Sequence, residues 1–469
     1  MTVVIYGFYK ANMLGVTAED ILIKSADKIS PKAPTVANLI RKISQETDDS
    51  RMFHGLELST WSGKGASNSS QSLVVNNSLE QNSALKFVTN TKELLRALQA
   101  AKQGRTIVLR PGKYKIKQRK IKIGNSGSEV APIIVKAENL GEVDIELDSL
   151  DGFYIDKPYW IFENLRIKGT CVKDSRCEHA FHVVGKGSNA IIRNNIVTDF
   201  NAAVKVNGIK YGKTSHYPDF GRVENNTFYN NAVRDTDNPV ATLDILAVSD
   251  WIVRDNFIAD FVKGRGNKIS YAGFFKGNGS RNVFERNLII CRLNLKSKGG
   301  GQVGLSFGGG GTGKASCRHQ QCEVENSSGI IRHNLIMNCN DVAVYLNKSK
   351  DTEIYNNTLI NTLGIDVRFS QSNAVIANNL LTGRIKNRNA GSSKKINNIV
   401  ISLSDIEDYY RNPVDGDFSV ANGDEMINQG VNLQALEKDF CGKSRGPLAV
   451  DIGAFEYTEA NSVCNPFQM

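Results

Sequence analysis

Seven short segments of this chain repeat one pattern, a β-rich apolar run around an Asn: IIRNNIV, GRVENNTF, IVRDNFI, FERNLII, IIRHNLI, IYNNTLI and IANNLL. The anchors are Asn195, Asn226, Asn256, Asn287, Asn334, Asn357 and Asn379, and the series extends back to Asn164 and forward to Asn398. Successive spacings are 31, 31, 30, 31, 47, 23, 22 and 19 residues. Periods near these values with one β-rich unit each belong to solenoids. An Asn among Val, Ile and Phe suits a sharp bend between strands, because Asn tolerates left-handed backbone geometry. Stacked Asn side chains also hydrogen-bond along a stack. The expected fold is all-β, a right-handed parallel β-helix, with a groove along the stack for a long polymer.

The repeat places the helix at residues 86–400. Residues 1–85 lie outside it, as an arm with one expected helix at 34–44 and a polar linker from 64 to 83. Residues 91–102 (TKELLRALQAAK) carry Leu at helical spacing behind a Thr in N-cap position. A helix there would cover the open apolar end of the first coil. Residues 401–469 form an irregular segment closing the stack, in which PLAVDIGAFEY reads as a terminal strand.

No stretch approaches the roughly 20 apolar residues of a membrane span. The N-terminus lacks the basic region and cleavage site of a convincing signal peptide. A net charge of +10 favours an acidic partner. With no zinc-finger, basic-helix or RNA-binding motif present, acidic polysaccharide leads nucleic acid. We expect a monomer. Three cysteine pairs are local (Cys171 with Cys177, Cys317 with Cys322, Cys441 with Cys464), while Cys291 and Cys339 each follow an anchor Asn. Such pairs suit disulfides in a secreted or periplasmic protein; buried thiols in a reducing cell are the alternative. No CxxC pair points to a metal.

Counting back eleven residues from the anchors places Val184, Lys276, Leu346 and Arg368 in one column, with Tyr345 beside Leu346. Two cations and a phenol on one edge would line a groove. Two insertions interrupt the rhythm, at 208–220 and 308–328. The second begins with four Gly, among them Gly309 and Gly310, which permit close approach of a ligand. It holds Arg318 and His319 inside a Cys317–Cys322 staple. Ser306, Lys205 and, on the first insertion, His216 complete the candidate substrate-binding set.

Hydrolysis of a glycosidic bond needs two carboxylates flanking the substrate. Asp235, Asp237, Asp244 and Asp250 form no column-aligned pair, and most read as turn or cap residues. Elimination across a uronic acid needs a base for the proton α to the carboxylate and a cation to neutralise that carboxylate. A Lys with a depressed pKa and an Arg meet those needs, and the basic residues here fit elimination better.

The first coils carry LLRALQAAKQGRTIVLRPGKY, then APIIVKAENLGEVDI, then LDGFYIDKPYWIFENLRIKG. With these motifs the chain resembles the chondroitinase B and alginate lyase family, polysaccharide lyase family six, over roughly residues 84–400. The resemblance implies a Brønsted-base role for Lys276, in FFKGNGSRNVFERN. The family's Arg has no counterpart: the matching stretch is Leu305-Ser306-Phe307-Gly308. Ile269 and Tyr271 stand where the family's calcium-holding acids are expected, so calcium is implied by the resemblance but lacks its ligands.

The expected function is a polysaccharide lyase acting on an anionic, uronate-containing glycan. Lys276 is the base, Arg368 or Arg318 the neutralising cation, and Tyr345 or His319 the proton donor to the leaving oxygen. A non-catalytic glycan-binding protein or adhesin, and a glycoside hydrolase on the same scaffold, are the alternatives.

Overall fold

The computed structural model describes residues 56–68, 84–296, 299–421, 425–433, 438–446, 450–457 and 463–468. The helix expected at 34–44 lies outside them. Three sheets of 12, 10 and 11 strands run along one axis, each taking strands from successive coils in chain order. Neighbouring coils pair in parallel, as in Ile252↔Val283 and Ile258↔Ile289. This is a right-handed parallel β-helix. Alternation along each strand turns every second apolar residue inward, and the register stacks Phe153, Phe181, Val204 and Leu243 in one buried row.

The Asn series forms a continuous internal ladder from Asn195 to Asn398. Asn195 Nδ2 donates to Asn226 Oδ1, Asn226 to Asn256, Asn256 to Asn287, and so on to Asn398, each at 2.8–3.0 Å. Two features differ from the expectation. The left-handed residue of each bend precedes the anchor: Asn194, Asn225, Asp255, Arg286, His333, Asn356, Asn378 and Asn397 have φ between 43° and 57°. The anchor's amide is thus freed to bridge coils. Asn164 is also off the ladder. It is itself left-handed, accepts from Asn194 Nδ2, and leaves the ladder position to Leu165, whose N–H donates to Asn195 Oδ1.

The capping helix spans Thr91–Ala100 and buries Leu94, Ala97 and Leu98. Its N-cap is Asn90, not a Thr. Asn90 Oδ1 accepts from Glu93 N, while the Glu93 carboxylate accepts from Thr89 N and Oγ1. That closure resembles a capping box, with the Glu93 carboxylate reaching the residue before the N-cap instead of the N-cap itself, and it starts the helix one residue earlier than the Thr suggested.

The end segments lie along the outer side of the sheet holding Phe257, Leu288 and Leu335. Met426, Phe440, Phe455 and Phe467 pack there with Trp61, which stacks on Phe257 at 4.0 Å. Residues 450–457 form no strand, because their apolar side chains bury against a finished sheet rather than extend it. Residues 64–68, expected in a linker, pack closely too. Lys64 is buried, pairs with Asp255 at 2.7 Å and donates to the Phe440 carbonyl. All eight cysteines are paired: 171–177, 291–339, 317–322 and 441–464. The second joins adjacent coils.

Lys64→Ala is expected to destabilise the protein by about 2 kcal/mol at neutral pH, since Asp255 keeps Arg286 as a second partner. Burial opposes ionisation of Asp255, but Lys64 and Arg286 outweigh it and hold its carboxyl below the ordinary 3.8. A depressed acid contributes stability above its unfolded value and loses it as pH falls through the folded one. Urea melts across pH should therefore show the deficit of the variant full at neutral pH and shrinking below about pH 4.

Candidate active site

Lys276 ends the strand Ile269–Lys276 in the ten-stranded sheet. Its outer face carries a polar row set by register: His182 pairs with Lys205, Lys205 with Asp244, and Asp244 with Phe274. The next outward row runs through Leu246, paired with Lys276. Three strands thus bring Lys205, Asp244 and Lys276 together.

Asp244 is buried, and its Oδ2 accepts from Lys205 Nζ at 2.5 Å while Oδ1 has no hydrogen-bond partner among the described residues. Burial opposes its ionisation, but Lys205 and Lys276 hold the carboxyl below the usual range. Lys276 makes no hydrogen bond or ion pair with the described residues. Its ammonium sits 4.1 Å from the centre of the Phe274 ring. Burial lowers its pKa; Asp244 pulls upward, Lys205 downward, and the net shift is down. Glu325, the other nearby acid, accepts from Gly277 N and Thr312 Oγ1, both at 2.7 Å.

The other expected residues are distributed differently. Lys276 and Arg368 do share a row, because Phe275, Phe307, Leu346 and Val367 are successive partners and Lys276 and Arg368 follow the first and last. Leu346 itself is inward, and Asn347 takes its place beside Arg368, since that turn to Asn357 is one residue shorter. Three strand steps of about 4.8 Å put Arg368 roughly 14 Å from Lys276. Arg368 donates to Tyr345 Oη (3.3 Å) and Asn389 Oδ1 (3.1 Å), so these two form a second polar position.

Arg318 is committed to structure. It pairs with Asp219, donates to Ala247 O and lies over the Tyr217 ring, while its own N–H donates to Gly277 O. It docks the insertion onto the coil turn beside Lys276. His319 is exposed, with its N–H on Tyr217 Oη. His216 sits in a hairpin of Ile209–Tyr211 and Thr214–His216, against Tyr211. Ser306 is fully buried and donates to Tyr345 O. The glycine run serves the scaffold: a Cβ on Gly308 (φ 79°) would stand 1.9 Å from Asn347 O, and Gly309 O accepts from Asn347 Nδ2. Gly309 is buried and Gly310 exposed.

Asp235 and Asp237 pair with Arg265 and Asp250 with Arg281 on the surface, so Asp244 alone of the four faces the groove cluster. Sequence reasoning missed His179, His182 and Asp151 on the neighbouring coils. On a strand a separation of three should place two His on opposite faces. Here Ala180 and Phe181 are both buried between them, and the rings meet at 5.0 Å.

Over residues 88–209 the chain matches the Chondroitinase B family model. It resembles that family there. The matched coils include Lys205 but end before Asp244 and Lys276. No curated protein sequence is significantly similar. Among solved structures, pectate lyase Pel9A superposes with a TM-score of 0.55 at 16% identity, over 77% of this chain and 90% of that one. A PL6 family polysaccharide lyase from Pseudopedobacter saltans gives 0.34 at 15% identity, over 68% and 93%. The likeness to Pel9A is one of fold.

The two positions at which the resemblance expects calcium-holding acids do not fit that ion. Ile269 is exposed and apolar, and Tyr271 packs edge-on against Phe274. Burial raises the Tyr271 pKa, so it stays a neutral phenol. Neither supplies a carboxylate for calcium.

Proposed function

We propose that this protein is an exported polysaccharide lyase that cleaves an anionic, uronate-containing glycan by β-elimination, with Lys276 as base. The observation that carries the reading is the half-buried, unpaired amine of Lys276 on the outer face, beside a second lysine. A lysine is a base only when neutral, and burial favours the neutral form. Lys205, the other cation acting on Lys276, would neutralise a sugar carboxylate in place of Arg368 or Arg318, sharing its charge with Asp244, to which it is paired. Arg368 and Tyr345 fit a sugar farther along the same chain. The net charge of +10 favours a polyanion, and four disulfides fit an oxidising compartment. The family match over the first coils agrees with this reaction class.

The test is incubation with alginate, chondroitin sulfate, hyaluronan and pectin, following the ultraviolet absorbance of the unsaturated product. A rise on at least one uronate polymer is expected, and no rise on any of them overturns the proposal. Reducing ends without absorbance would indicate hydrolysis instead.

Asp244→Asn offers a finer check. Removing the anion beside Lys276 disfavours its ammonium, so the ascending limb of the pH–rate profile should move to lower pH. A limb that stays in place or moves up would separate Lys276 from the rate.

A further inference from the structure

We infer that Asp151, His179 and His182 form a binding site for a divalent transition-metal ion such as zinc, separate from the absent calcium set. One ligand atom from each lies within 4.8 Å of the others, on the half-buried outer face of the ten-stranded sheet. The hydrogen bonds of the two rings fix which nitrogens are free. His179 Nδ1 faces the Ala202 carbonyl at 3.3 Å, so it carries the proton and leaves the Nε2 lone pair. His182 Nε2 faces Asn207 Oδ1 at 2.8 Å. Asn207 Nδ2 donates to Gly208 O, which orients the amide so that Oδ1 accepts and His182 Nε2 donates. His182 Nδ1 is then left with its lone pair toward Asp151 Oδ1, only 3.1 Å away.

Two acceptors that close repel unless a cation lies between them. A proton would serve the pair Asp151–His182 alone. A metal ion serves all three groups, and carbonyl oxygens behind both imidazoles are the outer partners that orient metal-bound histidines. Two imidazoles and one carboxylate select zinc, cobalt or similar ions over calcium or magnesium, which prefer oxygen donors alone. Three protein ligands would leave a coordination position for water or a ligand. His182 pairs in register with Lys205, and Lys205 with Asp244, so the cluster lies two strands from Asp244 on the same sheet. This site stands whether or not the chain is a lyase, and its test does not use turnover.

The full chain, free of any histidine tag and stripped with a chelator, would be titrated with Zn²⁺ by calorimetry and with Co²⁺ by visible absorption. One Zn²⁺ per chain is expected, together with Co²⁺ bands of low-symmetry coordination. His182→Ala and Asp151→Asn should each weaken binding by more than about 100-fold, and Asn207→Ala, which loosens only the support of His182, by about 10-fold. His319→Ala, on the exposed insertion, should leave it unchanged. Circular dichroism checks folding, and Asp151→Asn keeps the shape of the side chain should His182→Ala misfold. No uptake of Zn²⁺ by the wild-type chain, meaning a proton-bridged pair only, overturns the site. So does equal affinity in His182→Ala and Asp151→Asn.

Discussion

Lys276→Met is expected to abolish formation of the unsaturated product, by about 10²–10⁴-fold in kcat, while leaving the protein as stable as the parent or more so. The two effects have one cause. A half-buried ammonium without an ion pair or hydrogen bond is costly to the fold, and the same burial makes its neutral form available as a base. Met keeps the apolar stem over Phe274 and removes the charge. Residues kept for function at the expense of stability behave in this way. The pH dependence has a definite sign. The folded pKa of Lys276 lies below the ordinary 10.5, so between those values the unfolded chain binds more protons than the folded one. Stability then rises with pH through that window, and Lys276→Met should flatten the rise. Activity should climb through the folded pKa. Retained turnover in Lys276→Met, or a variant that loses both activity and fold, would contradict the assignment.

Asn256→Ala is expected to destabilise the helix by about 3–5 kcal/mol, among the largest effects of any single polar residue here. Asn256 is fully buried. Its amide donates to Val223 O, Arg254 O and Asn287 Oδ1, and its Oδ1 accepts from the N and Nδ2 of Asn226. Truncation strips partners from both neighbouring coils where water has no access. Asn398→Ala, on the half-buried last rung, removes only the contacts with Asn379 and Ile376 O and should cost about 1–2 kcal/mol. Denaturant midpoints compare the two directly. If the internal rung costs no more than the terminal one, the ladder is not a main source of coil stacking.

Much of the scaffold was legible because its period is local. Each coil repeats the same short apolar run, and parallel stacking turns a linear spacing into a spatial row. For that reason the anchor Asn could serve as a ruler and align Lys276 with Arg368. It slipped at Leu346, where one turn is a residue shorter, and at Asn164, where the left-handed residue stands in place of the anchor. Both errors are of one residue, and on a strand one residue exchanges inside for outside.

The chemistry was less legible, because a row says nothing of distance along the axis or of prior commitments. Arg368 lies three strands from Lys276, Arg318 is held by Asp219 and Tyr217, and Ser306 is sealed behind the next coil. Asp244 could not be told apart from Asp235, Asp237 and Asp250, because its importance comes from Lys205, 39 residues earlier, and Lys276, 32 residues later. His179 and His182 were hidden by the pleat.

The sequence by itself determined the β-helix, the Asn ladder, the capping helix and the position of Lys276 on the outer face, since each follows from short-range periodicity and burial. Only the tertiary structure decided that Lys205 and Asp244 are the neighbours of Lys276, that Arg318 is held by Asp219 while Arg368 lies three strands away, and that Asp151 joins two histidines. Those pairings depend on which coil lies against which, and on the depth to which each charge is buried between them.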